Sequence, residues 1–483
     1  MGKVNTQHPE YKAMVKKWQR CRDCVAGQDA VKEAGETYLP RLTDQETADY
    51  NAYKLRAQFF NATWRTISAL AGMMFRRAPV VEVATNVETM LKDVTMSGQS
   101  FYTFAKRVAL EILTVGRVGI LVDYPSQSVE GMTLADAQKL NLRPTMQMYP
   151  TESIINWKRK WIANESKLSL VVLSELEEIS DDEFESETEQ RYRVLDLVDG
   201  KYRDLVDGKY RVRRYSVDKN TKTETQISED LYPLMNNQPL DSIPFFFLGV
   251  DDITSEMDEP PLIDLVDLNL AHYRTTADYN NGLHLTGLPT PVVTGYQKDE
   301  NEKLYIGRPY AWVFPDPQAS ATFLEFTGQG LTALENALTR LEQQMAIVGA
   351  RLLTAEKKDA ETAQTAQIHR AGESSTLSGI SLTLSDGMTK ALTVFSKWAG
   401  SDKEATVTTN TEFMPPAMAP EELTALLSGW QMGAPGLSDQ GLFDILQQRE
   451  VIRPDVNLEE EQERIASKPL PRPEMDDEGD DDA

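Results

Sequence analysis

The sequence predicts an α+β chain in which helices flank and follow a β-rich middle. Three observations carry that prediction. Apolar residues recur at helical spacing over 45–77, a glycine-flanked apolar run at 116–125 opens a series of strand-like segments, and a 3-4-3-4-3 spacing runs from Leu331 to Val348. The 483 residues allow two to four domains or one large, elaborated one, and 41% hydrophobic with 26% charged residues suits a globular protein.

The elements follow in order. Residues 11–25 form a basic amphipathic helix that carries Cys21 and Cys24. Over 45–77, Tyr50, Tyr53, Phe60, Trp64, Ile67, Leu70 and Met74 share one face; Arg76 and Arg77 suit the negative end of the dipole and Pro79 stops the helix. A helix over about 100–114 runs into the strand at 116–125. Further strands are expected near 146–157, 168–174, 191–198, 209–216 and 243–249. Between them, Glu175 to Glu189 is almost free of apolar residues and reads as an exposed hairpin tip or loop. Asp196 to Arg203 is repeated at once, residue for residue, as Asp204 to Arg211. Each copy holds an Asp-Gly turn signal between apolar flanks, and eight residues are too few for a solenoid repeat. The pair reads as a tandem duplication within a surface turn.

Helices dominate thereafter. Pro260 and Pro261 precede a helix from Leu262 to about Leu283, and Pro289 and Pro291 end it. A short β segment covers roughly 291–327. Leu331, Leu334, Leu338, Leu341, Met345 and Val348 then form a heptad-like seam that packs against another helix of the same chain or against a neighbouring subunit. Thr332 and Glu335 read as a capping box at its start. After a charged break at Arg351 to Glu361, a long helix reaches Trp398 and is closed by Gly400. Residues 404–412 read as one strand, Pro415 to Pro420 as a linker, and 421–451 as a helical pair broken at Gly433 to Gly436. The acidic end from Pro469 to Ala483 cannot bury a core and is expected to be disordered.

Several kinds of chemistry lack their residues. The formal charge of −25 argues against tight phosphate-neutralising DNA binding and would suit a wall past which a duplex slides, but from charge alone plain solubility is the favoured explanation. There is no phosphate-cradling G-x-x-x-x-G-K-[ST], no G-x-S-x-G, no H-E-x-x-H and no calcium loop. His8, His272, His284 and His369 show no paired ligand spacing, so Cys21 and Cys24 lack partners for a zinc site and read as ordinary helix cysteines. Acidic runs such as Glu459 to Glu461 read as solvated faces. No metal, cofactor or catalytic residue is expected, and no enzymatic activity. No apolar run of about 18 residues predicts a membrane span, and Met1 to Asn5 has no apolar core of a secretory signal, so synthesis in a cytoplasm is expected.

Strings spread from about 38 to 465 together resemble one subfamily of tailed-bacteriophage portal proteins, first described only as a domain of unknown function. They are Tyr38-Leu39-Pro40-Arg41-Leu42, Phe60-Asn61-Ala62-Thr63, Gly72-Met73-Met74-Phe75-Arg76-Arg77 and the run Val115 to Pro125. Others are Asp267-Leu268-Asn269 through His272-Tyr273-Arg274 to Asp278-Tyr279, Gly282-Leu283-His284, Gly287 to Val293, and Phe323 to Gly330. Their order and spacing carry the resemblance. The eight-residue duplication departs from the family, whose members have one such turn.

The resemblance implies a portal-type subunit of a ring, typically of twelve copies, at one capsid vertex of the virion. Residues 1–260 map to the wing, 261–286 and 328–350 to two stem helices, and 287–327 to the clip between them. Residues 351–361 map to the tunnel loop, 362–414 to the long wing helix and its strand, 415–460 to the crown, and 461–483 to the acidic tail. Double-stranded DNA is implied in the channel, with Arg351, Lys357 and Lys358 as brief phosphate contacts; a solvated loop is the alternative. The clip, through Trp312, Phe314 and Asp316, is implied to dock the terminase large subunit and later a head-completion adaptor. Capsid and scaffold proteins are further implied partners, and a membrane is not. Leu331, Leu334, Leu338, Leu341 and Met345 are the expected stem packing. Two other classes remain open at this point: another phage structural component such as a capsid or tail-adaptor subunit, and a packaging enzyme. A duplex-wide pore separates the portal from the first, and nucleotide turnover or DNA cleavage would identify the second.

Overall fold

The structure, a computed structural model, describes residues 3–125, 142–162, 164–180, 183–198, 209–218, 221–287, 290–295, 314, 317–324, 329–351, 376–413, 420–434, 437–449, 451–452 and 456–467. Helix α1 (Pro9–Ala26) has proline in its first turn and buries Tyr11, Met14, Trp18, Cys21 and Cys24, a stripe at three- and four-residue spacing. Helices α2 (Gln28–Glu33), α3 (Thr47–Arg56) and α4 (Ala62–Met74) follow. The single helix expected over 45–77 is therefore two. The chain turns extended at Ala57, and Asn61 restarts the helix by accepting the Trp64 amide at 2.9 Å while its own amide reaches the Val25 carbonyl at 3.2 Å. A side chain suited to an N-cap outweighs apolar periodicity here. Strand β1 (Val80–Glu82) and a short helix α5 (Thr85–Glu88) lead to α6 (Phe101–Val115). Ser100 caps α6 at its start; Gly116, at φ +82°, closes it in the left-handed conformation, and a side chain there would meet the Glu259 carbonyl. One half-buried ion triad ties these layers. Arg22 of α1 donates to Glu111 of α6 and to Glu152, at 2.5 and 2.8 Å. Burial alone would lower the Arg22 pKa, but hydrogen bonds to Glu152 and Glu111 outweigh it and hold the guanidinium charged.

The β-rich middle comprises β2 (Arg117–Asp123), β3 (Thr145–Pro150), β4 (Ile154–Ile162), β5 (Glu165–Glu178), β6 (Thr188–Val198), β7 (Lys209–Val217), β8 (Glu224–Gln226), β9 (Leu234–Met235), β10 (Gln238–Pro239) and β11 (Phe245–Gly249). Strand β2 is the centre of an antiparallel sheet ordered β11-β2-β3, and β4 to β8 form a five-stranded meander in sequence order. The strand expected over 146–157 is broken at Thr151–Ser153 by a 3₁₀ turn, which hands the chain from the first sheet to the second. The acidic stretch is indeed a hairpin tip, with β5 pairing β6 on either side of it. The duplicated octapeptides flank the β6–β7 pair, Val198 opposite Lys209; residues 199–208 lie outside the described residues.

Helix α7 (Ile263–Gly287), strands β12 (Thr290–Thr294) and β13 (Ser320–Leu324), and helix α8 (Gln329–Arg351) then form a helical pair joined through a two-stranded hairpin. Since α8 already begins at Gln329, Thr332 lies inside its first turn, and the expected capping box with Glu335 does not form the start. Helix α9 (Thr376–Trp398) buries Leu377, Ile380, Leu384, Met388, Leu392 and Phe395 against β11 and β2. Each such side chain contributes about 1.5–3 kcal/mol of apolar transfer. Strand β14 (Thr406–Thr408) pairs with β1 and closes the unit that ends at Thr411. The second unit, from Glu412, holds α10 (Pro420–Gln431), α11 (Asp439–Gln448) and α12 (Leu458–Ala466). Within it, Trp430 donates its indole N–H to Asp439 at 2.9 Å, joining α10 to α11. Pro420 is the first residue of α10, not the end of a linker; residues 461–466 of the expected disordered tail are helical, as part of α12, and the tail from 468 on lies outside the described residues.

Gly119 on β2 leaves the space that the Phe245 ring fills: a Cβ there would stand 2.2 Å from that ring and 2.8 Å from Ile154. Gly119→Ala is expected to cost about 1–3 kcal/mol through overpacking, read as a lower denaturation midpoint with unchanged m-value.

Candidate functional site

The candidate site is the α7–α8 helical pair with its β12–β13 tip. Its base is fixed by polar groups on the buried face of α7. Asn269 is fully buried, and its carbonyl oxygen accepts from the Thr63 amide (3.1 Å) and hydroxyl (2.9 Å), while its amide donates to the Phe60 carbonyl at 2.8 Å. One side chain therefore satisfies the first turn of α4 and locks it to α7. Further along α7, the Tyr53 hydroxyl donates to Asp278 at 2.6 Å, Arg56 donates to Asn281 at 3.0 Å, and Asn280 donates to the Arg56 carbonyl at 3.1 Å. Burial, with the hydrogen bond to Asp278, pushes the Tyr53 phenol up.

Beyond Ala277 no residue of α7 is buried. The remaining ten residues span about 15 Å of helix at 1.5 Å per residue and run beside α8. Gly282 is the closest approach: a Cβ there would lie 2.7 Å from a methyl of Leu331. The seam residues Leu331, Leu334, Leu338 and Leu341 are half-buried and Met345 is buried, so their packing partner is α7 of the same chain. Sequence spacing left this open between an internal helix and a neighbouring subunit. At the base, His272 Nε2 faces Glu342 at 3.4 Å and Gly349 sits against Thr66. The tip hairpin pairs Thr290 with Leu324 and Thr294 with Ser320, with Phe323 exposed.

Most of the remaining expected site residues lie outside the described residues. Of the tunnel loop, Arg351 is the last residue of α8, and Lys357 and Lys358 lie outside the described residues. Of the clip residues, Trp312 and Asp316 also lie outside them, and Phe314 is half-buried. Asn269, Tyr53 and Asp278 had no role assigned from the sequence; the signal was a carboxamide on an otherwise apolar helix face.

Other chemistry-bearing groups serve packing. Cys21 and Cys24 are buried on α1, and burial pushes the Cys21 thiol up to about 12 and the Cys24 thiol further. Arg117 is buried between the rings of Trp157 and Phe247, 4.3 and 4.1 Å from their centroids, and donates to the Ser255 carbonyl at 3.1 Å. Burial lowers its pKa to about 9. No group of three or more His, Cys, Asp or Glu among the described residues is arranged to hold a metal ion, and no helix among them is long and apolar enough to cross a membrane.

Residues 261–399, from the start of α7 to the end of α9, match the family model described as "Domain of unknown function (DUF4055)". No curated protein matches the chain. Among solved structures, it is similar to a chain of "Neck of empty GTA particle computed with C6 symmetry", with 12% identity, a TM-score of 0.36, and 78% of this chain and 87% of that one covered. A chain of "Virion of native gene transfer agent (GTA) particle" gives 11% identity, a TM-score of 0.34, and coverage of 84% and 95%. At these scores the likenesses fix neither fold nor function.

Two outcomes follow from the geometry. Asn269→Leu removes the carboxamide and strands the Thr63 amide and hydroxyl, while the Phe60 carbonyl keeps the Ala62 amide; it is expected to destabilise by about 1–3 kcal/mol per unpaired group, measured by chemical denaturation. Cys21 and Cys24 are expected to stay unreactive toward a thiol-disulfide reagent near neutral pH in the native chain and to react within the mixing time after unfolding.

Proposed function

We propose that this chain is the subunit of a phage portal: a non-enzymatic ring at one capsid vertex of the virion through which double-stranded DNA is packaged and ejected. The carrying observation is the long helical pair that seals its seam internally, is anchored at its base by Asn269, and extends beyond the last buried residue of α7 to an exposed β hairpin. An element built this way suits a channel wall: side-by-side copies line a hole, and the hairpins crowd one mouth of it. The family match spans that element and the α9 helix behind it. The ordered resemblance of the sequence to portal proteins supports the same reading.

In this reading the α7–α8 pair is the stem and β12–β13 belongs to the clip. The clip docks the terminase large subunit during packaging and a head-completion adaptor afterwards, and capsid and scaffold proteins surround the wing. The charge of −25 per copy weakens counterion-release attachment, so a duplex passes without being held. Arg351, Lys357 and Lys358 supply brief phosphate contacts.

Negative-stain images and the mass of the assembled particle test this. A closed ring, expected with twelve copies, and an axial opening wide enough for duplex DNA supports it; a solid centre, or a chain that stays monomeric under every assembly condition, contradicts it. ATP turnover or Mg²⁺-dependent DNA cleavage abolished by a point substitution in this chain would favour a packaging enzyme instead. Lys357→Glu with Lys358→Glu is expected to leave ring assembly intact and reduce packaged DNA, measured as DNA per particle.

A further inference from the structure

We propose that the two ends of the five-stranded sheet bind each other between neighbouring copies, a contact that rests on reading the chain as a ring subunit. Strand β4 is the edge of that sheet, and its last residues carry Lys158, Arg159, Lys160 and Trp161, all exposed. Trp161 is 79% exposed. Arg159 donates only to neutral groups of Ser166, its hydroxyl at 3.0 Å and its carbonyl at 2.5 Å. Basic side chains beside an exposed indole on a sheet edge make a surface suited to an acidic partner that also brings apolar groups.

The opposite end of β5 is its complement. The strand runs from Glu165 to Glu178, so the β4–β5 turn and the β5–β6 tip stand roughly 40–45 Å apart at about 3.3 Å per residue. At the far tip Glu178, Glu183 and Glu187 are exposed and make no ion pair among the described residues. Arg191 is already shared by Glu177 (2.7 Å) and Glu189 (3.3 Å), which leaves the outer carboxylates uncompensated. Apolar side chains stand among them: Leu176 is 76% exposed and Phe184 89%. A solvated acidic tip has no use for such side chains; a tip that docks onto a basic strand bearing a tryptophan does.

Opposite charges at opposite ends of one sheet allow a heterologous, head-to-tail contact. Copies joined in that way close into a ring when the rotation allows it, whereas an antiparallel pair that satisfies both ends at once would stop at a two-fold dimer. The same basic strand could be offered to DNA phosphate. The self-contact is favoured because the chain itself supplies the complementary charge and the apolar groups that a phosphate backbone lacks.

The test reverses each end in the full-length chain. One variant carries Lys158→Glu, Arg159→Glu and Lys160→Glu; the other carries Glu178→Lys, Glu183→Lys and Glu187→Lys. Alone, each presents like charge to itself, and the concentration for half-assembly is expected to rise about tenfold or more. Mixed one to one, the two variants present opposite charges at every contact, and assembly returns toward the wild-type midpoint as an alternating ring. Recovery on mixing also shows that both variants are folded. If both assemble as wild type does, or if the mixture stays disassembled while circular dichroism shows native folds, the contact is wrong although the ring reading stands. A basic-strand variant that assembles normally but binds less duplex assigns that strand to DNA and overturns the proposal. A wild-type chain that forms no oligomer removes the ring reading itself.

Discussion

The arrangement outside the core depends on one constraint: the α7–α8 seam closes within a single chain. Leu331, Leu334, Leu338, Leu341 and Met345 spend their apolar surface on α7, and Gly282 lets the two backbones approach where the pair leaves the core. The stripe finds its packing partner within the chain, with Met345 buried and the four leucines half-buried. Asn269 sets the direction of the pair by making its base inseparable from the first turn of α4.

Electrostatics works with that geometry. Charges drawn toward the core are paired or capped by aromatic rings, as at half-buried Arg22 with its two glutamates and buried Arg117 between Trp157 and Phe247. The acidic excess is carried outside them. A surface of that sign repels other polyanions over about a Debye length, roughly 8–10 Å at physiological salt. The acidic β5–β6 tip and the basic end of β4 are local departures from an even distribution, and they lie at opposite ends of one sheet.

Much of this was legible in the residues. The stripe on α1, the strand after Gly116, the acidic hairpin tip and the seam on α8 each follow from apolar spacing that tertiary packing obeys. The expected single helix over 45–77 failed because Asn61 caps a new helix, a local hydrogen bond that periodicity does not register. The 146–157 strand failed because the apolar pattern was read straight past Pro150, which opens the turn at Thr151 that switches sheets. Thr332 was misread because a capping pattern looks the same one turn inside a helix as at its start. The partner of the seam was not legible at all: spacing shows that a stripe needs burial, and only the fold shows by what. The residues chosen for the tunnel and clip were drawn from a resemblance, and the described residues bring none of them into one constellation.

The most direct test of the internal seam is a disulfide across its closest point. Gly282→Cys with Leu331→Cys replaces the glycine and the leucine that face each other, so the new side chains fit the space already present. After oxidation of the assembled protein and denaturing, non-reducing electrophoresis, closure within one chain gives a cross-linked band at monomer mass with altered mobility. A ladder of covalent multimers would show instead that a neighbouring copy fills the stripe, and closure within one chain would be refuted.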